Sequence, residues 1–209
     1  LAYHGFGTLH VSLPTEVRVA PISDRPGYFE MADVARGTTA DTWQATWQDD
    51  AGGPPTVMTV PAGESTEVFT ATGWMGNLEV PLVLQRRTAR ETAFASVTNL
   101  NPNEQIVAAV TWLETGSSSA RAVRIDTRRG TDYVLVNYAP GVREAGPVRS
   151  DARVAIVRTR KHLSDELLRG EVEGLYLAGG SFVEAFGNRL SSSREAVLAL
   201  ERMSTAALL

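Results

Sequence analysis

The chain has 209 residues, a net charge of −4, 43% hydrophobic and 21% charged residues, and no cysteine. That length supports a core without covalent staples and the charge fraction is too low for disorder, while the lack of cysteine excludes disulfides, thiol catalysis and Cys-bound zinc. Residues 1–100 carry 6 Lys/Arg against 11 Asp/Glu, and residues 101–209 carry 14 against 13, so neither half has the basic excess of a nucleic-acid footprint.

The N-terminal stretch LAYHGFGTLHVSLP enters at once on what reads as a strand, with no signal-type segment. No window approaches the roughly 18 continuous apolar residues of a membrane span. Leu9, Val11 and Leu13 alternate with Thr8, His10 and Ser12, and TEVRVAP repeats the pattern with Val17 and Val19. Strands are predicted along the chain in YFEMAD, DTWQATWQD, TVMTVP, TEVFTATG, PLVLQRR, ETAFASVTN, QIVAAVTWLE, ARAVRIDTRR, TDYVLVNY, ARVAIVRTRK, EGLYLAGG, SFVEAFG and EAVLALER. Turn chemistry such as SDRPG, DDAGGPP, NPNE, RRGTD and SSS separates them.

Strands of this length and spacing predict an all-β fold, an antiparallel β-sandwich of many short strands that divides into one sandwich or two packed sheet units. The expected regions are 1–98 and 99–209, with residues 91–98 and 105–113 forming one hairpin across the seam. Residues 139–150 read as the least ordered part. A helical turn or two is expected in RKHLSDELLRGEVEG, with Ser164 as cap and Gly170 as stop.

Residues with chemical potential are few. His4, His10 and His162 have none of the close spacing of a zinc site. There is no Gly-x-Ser-x-Gly elbow, no phosphate loop and no complete dinucleotide motif. The carboxylate pairs Asp49–Asp50 and Asp165–Glu166 sit in polar turns. Of the four tryptophans, Trp43 and Trp47 are spaced to share one strand face and suit core packing, whereas Trp74, in ATGWMGN, is placed for exposure and could stack on a sugar ring. Arg86, Arg87 and Arg90 crowd one hairpin tip. They read either as a solubilising turn or as a contact for an anionic glycan or another domain.

The order of several short motifs resembles the C-terminal part of heparinase II/III-like polysaccharide lyases, including the oligo-alginate lyases. The motifs are LAYHGFGTL with Tyr3, His4, Gly5 and Gly7, then DTWQATWQ, then VPLVLQRRTARETAFASVTN from Pro81 through Arg86 and Arg87 to Phe94, and finally GLYLAGGSFVEAFG. The resemblance implies β-elimination on a uronate-containing glycan, in which a neutralised carboxylate acidifies the C5 proton and a Tyr or His removes it. It implies that the catalytic residues lie on an upstream α/α toroid, so that none is expected in this chain. It also implies that the chain is the downstream part of a larger enzyme and supports the active-site cleft beside that partner half. His4 is the one position that matches a family histidine near a structural zinc, and its co-ligands would lie upstream. Trp74, Arg86, Arg87 and Arg90 are the candidate contacts to an anionic polysaccharide or oligosaccharide. The family points to the bacterial periplasm or secretion. The alternative is a stand-alone carbohydrate-binding β-sandwich without catalytic activity.

Overall fold

In the computed structural model, which describes residues 2–17, 31–49, 51–99, 106–160 and 171–201, every regular element is a strand and every strand pairing is antiparallel. The fold is all-β, as expected. Two compact units divide the chain, Leu1–Gln105 and Ile106–Leu209. No helix is long and apolar enough to cross a membrane among the described residues.

The first unit contains β1 (Ala2–His4), β2 (Thr8–Val11), β3 (Glu16–Val17), β4 (Ala32–Thr39), β5 (Trp43–Gln48), β6 (Thr56–Val60), β7 (Thr66–Met75), β8 (Leu78–Arg86) and β9 (Val97–Asn99). A five-stranded sheet runs β1-β8-β7-β4-β3 and a four-stranded sheet runs β2-β5-β6-β9. Their facing sides make a sandwich core. The period-2 geometry of β5 turns Trp43, Ala45 and Trp47 inward together, where they meet Met58 and Val60 of β6 and Val68 and Val83 of the other sheet. A tryptophan buries roughly 150–250 Å², which at about 25 cal/mol per Å² corresponds to an upper bound of about 4–6 kcal/mol for each of Trp43 and Trp47. Val34, Phe69, Ala71, Leu82 and Leu84 form a separate buried cluster. The last four lie on the opposite face of the β7–β8 pair from Val68 and Val83.

The second unit contains β10 (Val107–Leu113), β11 (Ala120–Thr127), β12 (Gly130–Asn137), β13 (Arg143–Ala145), β14 (Val148–Ser150), β15 (Val154–Arg160), β16 (Glu171–Ala185) and β17 (Asn188–Glu201). They form one eight-stranded sheet in the order β10-β11-β12-β15-β16-β14-β13, with β17 on the free side of β16. Register carries a single apolar row across six strands: Leu113, Ala122, Leu135, Ala155, Leu177 and Leu198. The sheet curls around this row until its far end meets its beginning. Arg143 of β13 donates through Nη2 to Ser119 Oγ at 3.1 Å, in the β10–β11 turn, and the Gly146 turn faces the Leu113 side chain. Six alanines, at 120, 122, 145, 152, 155 and 185, keep the interior narrow enough for this near closure.

Several local expectations are corrected by the pairing. Residues 91–98 and 105–113 do not form a hairpin: β9 pairs with β6 in the first unit and β10 with β11 in the second. The segment 139–150, read as least ordered, holds the β13–β14 hairpin, whose three-residue strands are too short for periodicity to register. EGLYLAGG and SFVEAFG are one strand, β16, irregular around Gly180, and SSS lies inside β17 rather than at a turn. Gly-Gly looked like punctuation because a bulge needs the same residue as a turn. The predicted strand YFEMAD reaches only the first two residues of β4, and the rest escaped notice because the register shifts between Ala32 and Ala35, where Asp33 adopts φ 52° and breaks the alternation. The predicted strand through EAVLALER is observed within β17. The expected helical turn between Ser164 and Gly170, and His162 with it, lie outside the described residues.

Candidate functional site

The motifs singled out in the first unit meet in space. Tyr3, on the inward side of β1, hydrogen-bonds through its hydroxyl to Ser96 Oγ at 2.6 Å. Immediately after β1, Gly5 N–H donates to the Pro81 carbonyl at 3.2 Å and the backbone passes so close to the Trp47 indole that a Cβ there would overlap the ring. Glycine is required by this approach. The aromatic-His-Gly turn and the tryptophan strand are therefore two sides of one packing contact. His4 itself is exposed on edge strand β1, in register with Leu82. Among the described residues no group of three His, Asp or Glu side chains is arranged to hold a metal. His10 is exposed on β2 opposite Thr46. Asp49 caps its own turn by accepting from Ala51 N–H at 3.0 Å.

The three arginines at the end of β8 have different environments. Arg86 pairs with Glu67 at 2.7 Å and lies 4.7 Å from the centre of the Phe69 ring. Arg36 shares both partners. Arg87 is the most enclosed, with a side chain 8% exposed. Its Nε donates to Thr66 Oγ1 at 2.6 Å, and Nη1 donates to Thr92 Oγ1 at 3.1 Å and to the Ala93 carbonyl at 2.9 Å. Its guanidinium also lies 4.6 Å from the centre of the Phe94 ring. Arg87 thus ties β8 to the loop leading into β9. Arg90 lies in that loop and is exposed. The motif PLVLQRR…TAFASV accordingly reads as an internal clamp with an exposed arginine beyond it.

Trp74 is 56% exposed near the tip of the β7–β8 hairpin. The two-residue turn is led by Gly76 at φ 64°, where a hairpin of this length calls for glycine. Register places Trp74 opposite Glu79, and strand periodicity puts Thr70, Thr72 and Trp74 on one face with Pro81 and Glu79. This face leads into a cleft of about 310 Å³ lined by Gly7, Thr8 and Leu9 from the β2 side, Asp33, residues 70–72, Glu79 and Pro81. Thr72 Oγ1 donates to Asp33 Oδ2 at 3.3 Å, fixing that carboxylate at the rim. Phe6, 63% exposed, stands between Gly5 and the cleft residue Gly7. Sequence reasoning found Trp74 and missed the cleft, because Asp33 and Glu79 are far apart in the chain and joined only by the sheet.

The second unit has its own polar centre. At the irregularity of β16, Asp151 Oδ1 accepts from the N–H groups of Ser181 and Phe182 at 2.8 and 2.9 Å, and Oδ2 accepts from Ser181 Oγ at 2.6 Å. Burial pushes this carboxyl up, but those hydrogen bonds outweigh it and hold Asp151 below the ordinary aspartate value. Ser150 Oγ donates to the Phe182 carbonyl at 2.5 Å beside it. The group is a latch that satisfies backbone left over by the bulge. Two tyrosines are shifted as well. Burial raises Tyr133 most, and the hydrogen bond to Glu201 is the main cause that raises Tyr176. Both shifts disfavour the tyrosinate form.

No family model, curated protein or solved structure matches the chain.

Proposed function

We propose that this chain is the C-terminal β-sandwich segment of a polysaccharide lyase that cleaves uronate-containing glycans by β-elimination. In this reading it supports the active-site cleft while an upstream toroid supplies the catalytic base. The observation that carries the reading is the Gly5–Trp47 contact. Two motifs that gave the resemblance, separated by some forty residues of chain, prove to be a single close-packed joint. The Arg87 clamp onto Phe94 makes a second motif coherent in the same way.

Of the chain's five tyrosines, three are held in ways that do not favour a base. A tyrosine acting as base must give up its proton readily, yet the shifts of Tyr133 and Tyr176 run the other way. Tyr3 spends its hydroxyl on Ser96. A structural zinc at His4 would need ligands from outside the described residues. The test is turnover by the complete protein, this chain together with the sequence encoded upstream, on alginate, heparan sulfate and hyaluronan. Ultraviolet absorbance reads the unsaturated uronate product. Product from at least one of these glycans supports the proposal. No product from the complete protein on any of them, or an upstream sequence without a helical toroid, overturns it.

A further inference from the structure

We propose that the cleft between β2 and the β7–β8 hairpin is a non-catalytic binding site for a neutral pyranose unit of a glycan, with Trp74 as its stacking platform. The inference stands independently of the lyase reading. Three observations meet there. An indole 56% exposed is costly to leave in water and offers a flat apolar face, which suits the C–H face of a sugar ring. The same sheet face continues from Trp74 through Thr72 and Thr70 into a cleft of about 310 Å³, at the small end of the range for ligand sites. The cleft presents two carboxylates, Asp33 and Glu79, and ionised carboxylates accept strong hydrogen bonds from hydroxyl groups.

The charge of the lining decides the ligand class. Asp33 and Glu79 are joined there by glycine, threonine, leucine, alanine and proline, with no Arg, Lys or His among the lining residues. A uronate carboxylate placed among them meets two like charges without a counter-charge. A neutral hexose meets two acceptors and pays no such penalty. Asp33 is also one of two non-glycine residues at positive φ among the described residues, and its carboxylate is held by Thr72. That arrangement pre-orients an acceptor at the rim.

The experiment is calorimetric titration of the 209-residue chain with cello-, manno- and xylo-oligosaccharides and, in parallel, with oligo-alginate and oligogalacturonate. Expected is saturable binding of at least one neutral oligosaccharide, with both uronate oligomers at least tenfold weaker. Trp74→Ala should weaken the neutral ligand at least tenfold, and Glu79→Gln by a smaller factor, while Arg194→Ala, at an exposed position of β17 in the second unit, leaves it unchanged. The exposure of Trp74 keeps the variant folded, which circular dichroism checks. Absence of binding by every neutral oligosaccharide, insensitivity to Trp74→Ala, or uronate binding as tight as neutral binding would each overturn the proposal. Lyase turnover enters none of these readouts, so either proposal can fail while the other stands.

Discussion

Replacing Arg87 by alanine should destabilise the first unit by about 3 kcal/mol, because the side chain is a clamp rather than a ligand contact. The magnitude follows from its partners. Each hydrogen bond to a charged donor contributes about 1.5–3 kcal/mol net, and Arg87 makes them with Thr66, Thr92 and the Ala93 carbonyl. Thr92 is exposed and regains water on truncation, so it contributes least. Thr66, 3% exposed, loses its donor where water does not enter freely. The ion pair with Glu64, at 3.4 Å and with the carboxylate 64% exposed, adds little. Release of about 2 kcal/mol of arginine rotamer entropy offsets part of the loss. Lysine keeps the charge and one of the bonds, so Arg87→Lys should cost roughly half as much as alanine. Urea unfolding followed by tryptophan fluorescence reads the effect, since Trp43 and Trp47 lie in the affected core. Arg90→Ala, at an exposed loop position, should stay within about 0.5 kcal/mol. An Arg87→Ala variant of unchanged stability would refute the clamp.

Gly5→Ala should cost about 1–3 kcal/mol by driving a methyl into the Trp47 ring, with a shifted Trp47 emission spectrum as its signature; an unchanged spectrum and midpoint would remove the joint from the account. Asp151 has a folded-state pKa below its unfolded value, so its contribution is present above about pH 4 and is lost as pH falls through the folded value. Asp151→Asn should therefore flatten the acid limb of the second unit's stability curve, measured by thermal unfolding from neutral pH downward. Arg143→Ala removes the bond to Ser119 that brings the curled sheet back on itself, and should cost about 1 kcal/mol and speed amide exchange in the β10–β11 turn relative to β15.

The fold class was legible because period-2 alternation survives wherever a strand has one wet face, as in β5 and β11. It failed where backbone irregularity shifts the phase, at Asp33 in β4 and around Gly180 in β16. In both places the residues that look like loop punctuation are the ones that let a strand absorb a bulge. The site was legible only in part. Trp74 could be singled out from its turn-rich surroundings, but Glu79 comes opposite it through sheet register and Asp33 meets Thr72 across the sheet, which a single strand's pattern does not contain. For Arg86 and Arg87 the sequence shows charge without its partners. Glu67, Thr66, Phe69 and Phe94 supply those partners.

The central claim is that this chain shapes a lyase without carrying its base. Its most direct test is incubation of the 209-residue chain alone with alginate, heparan sulfate and hyaluronan, followed by ultraviolet absorbance for unsaturated product. The account predicts none on any of the three. Sustained product formation by the isolated chain would place the base within these residues and contradict it.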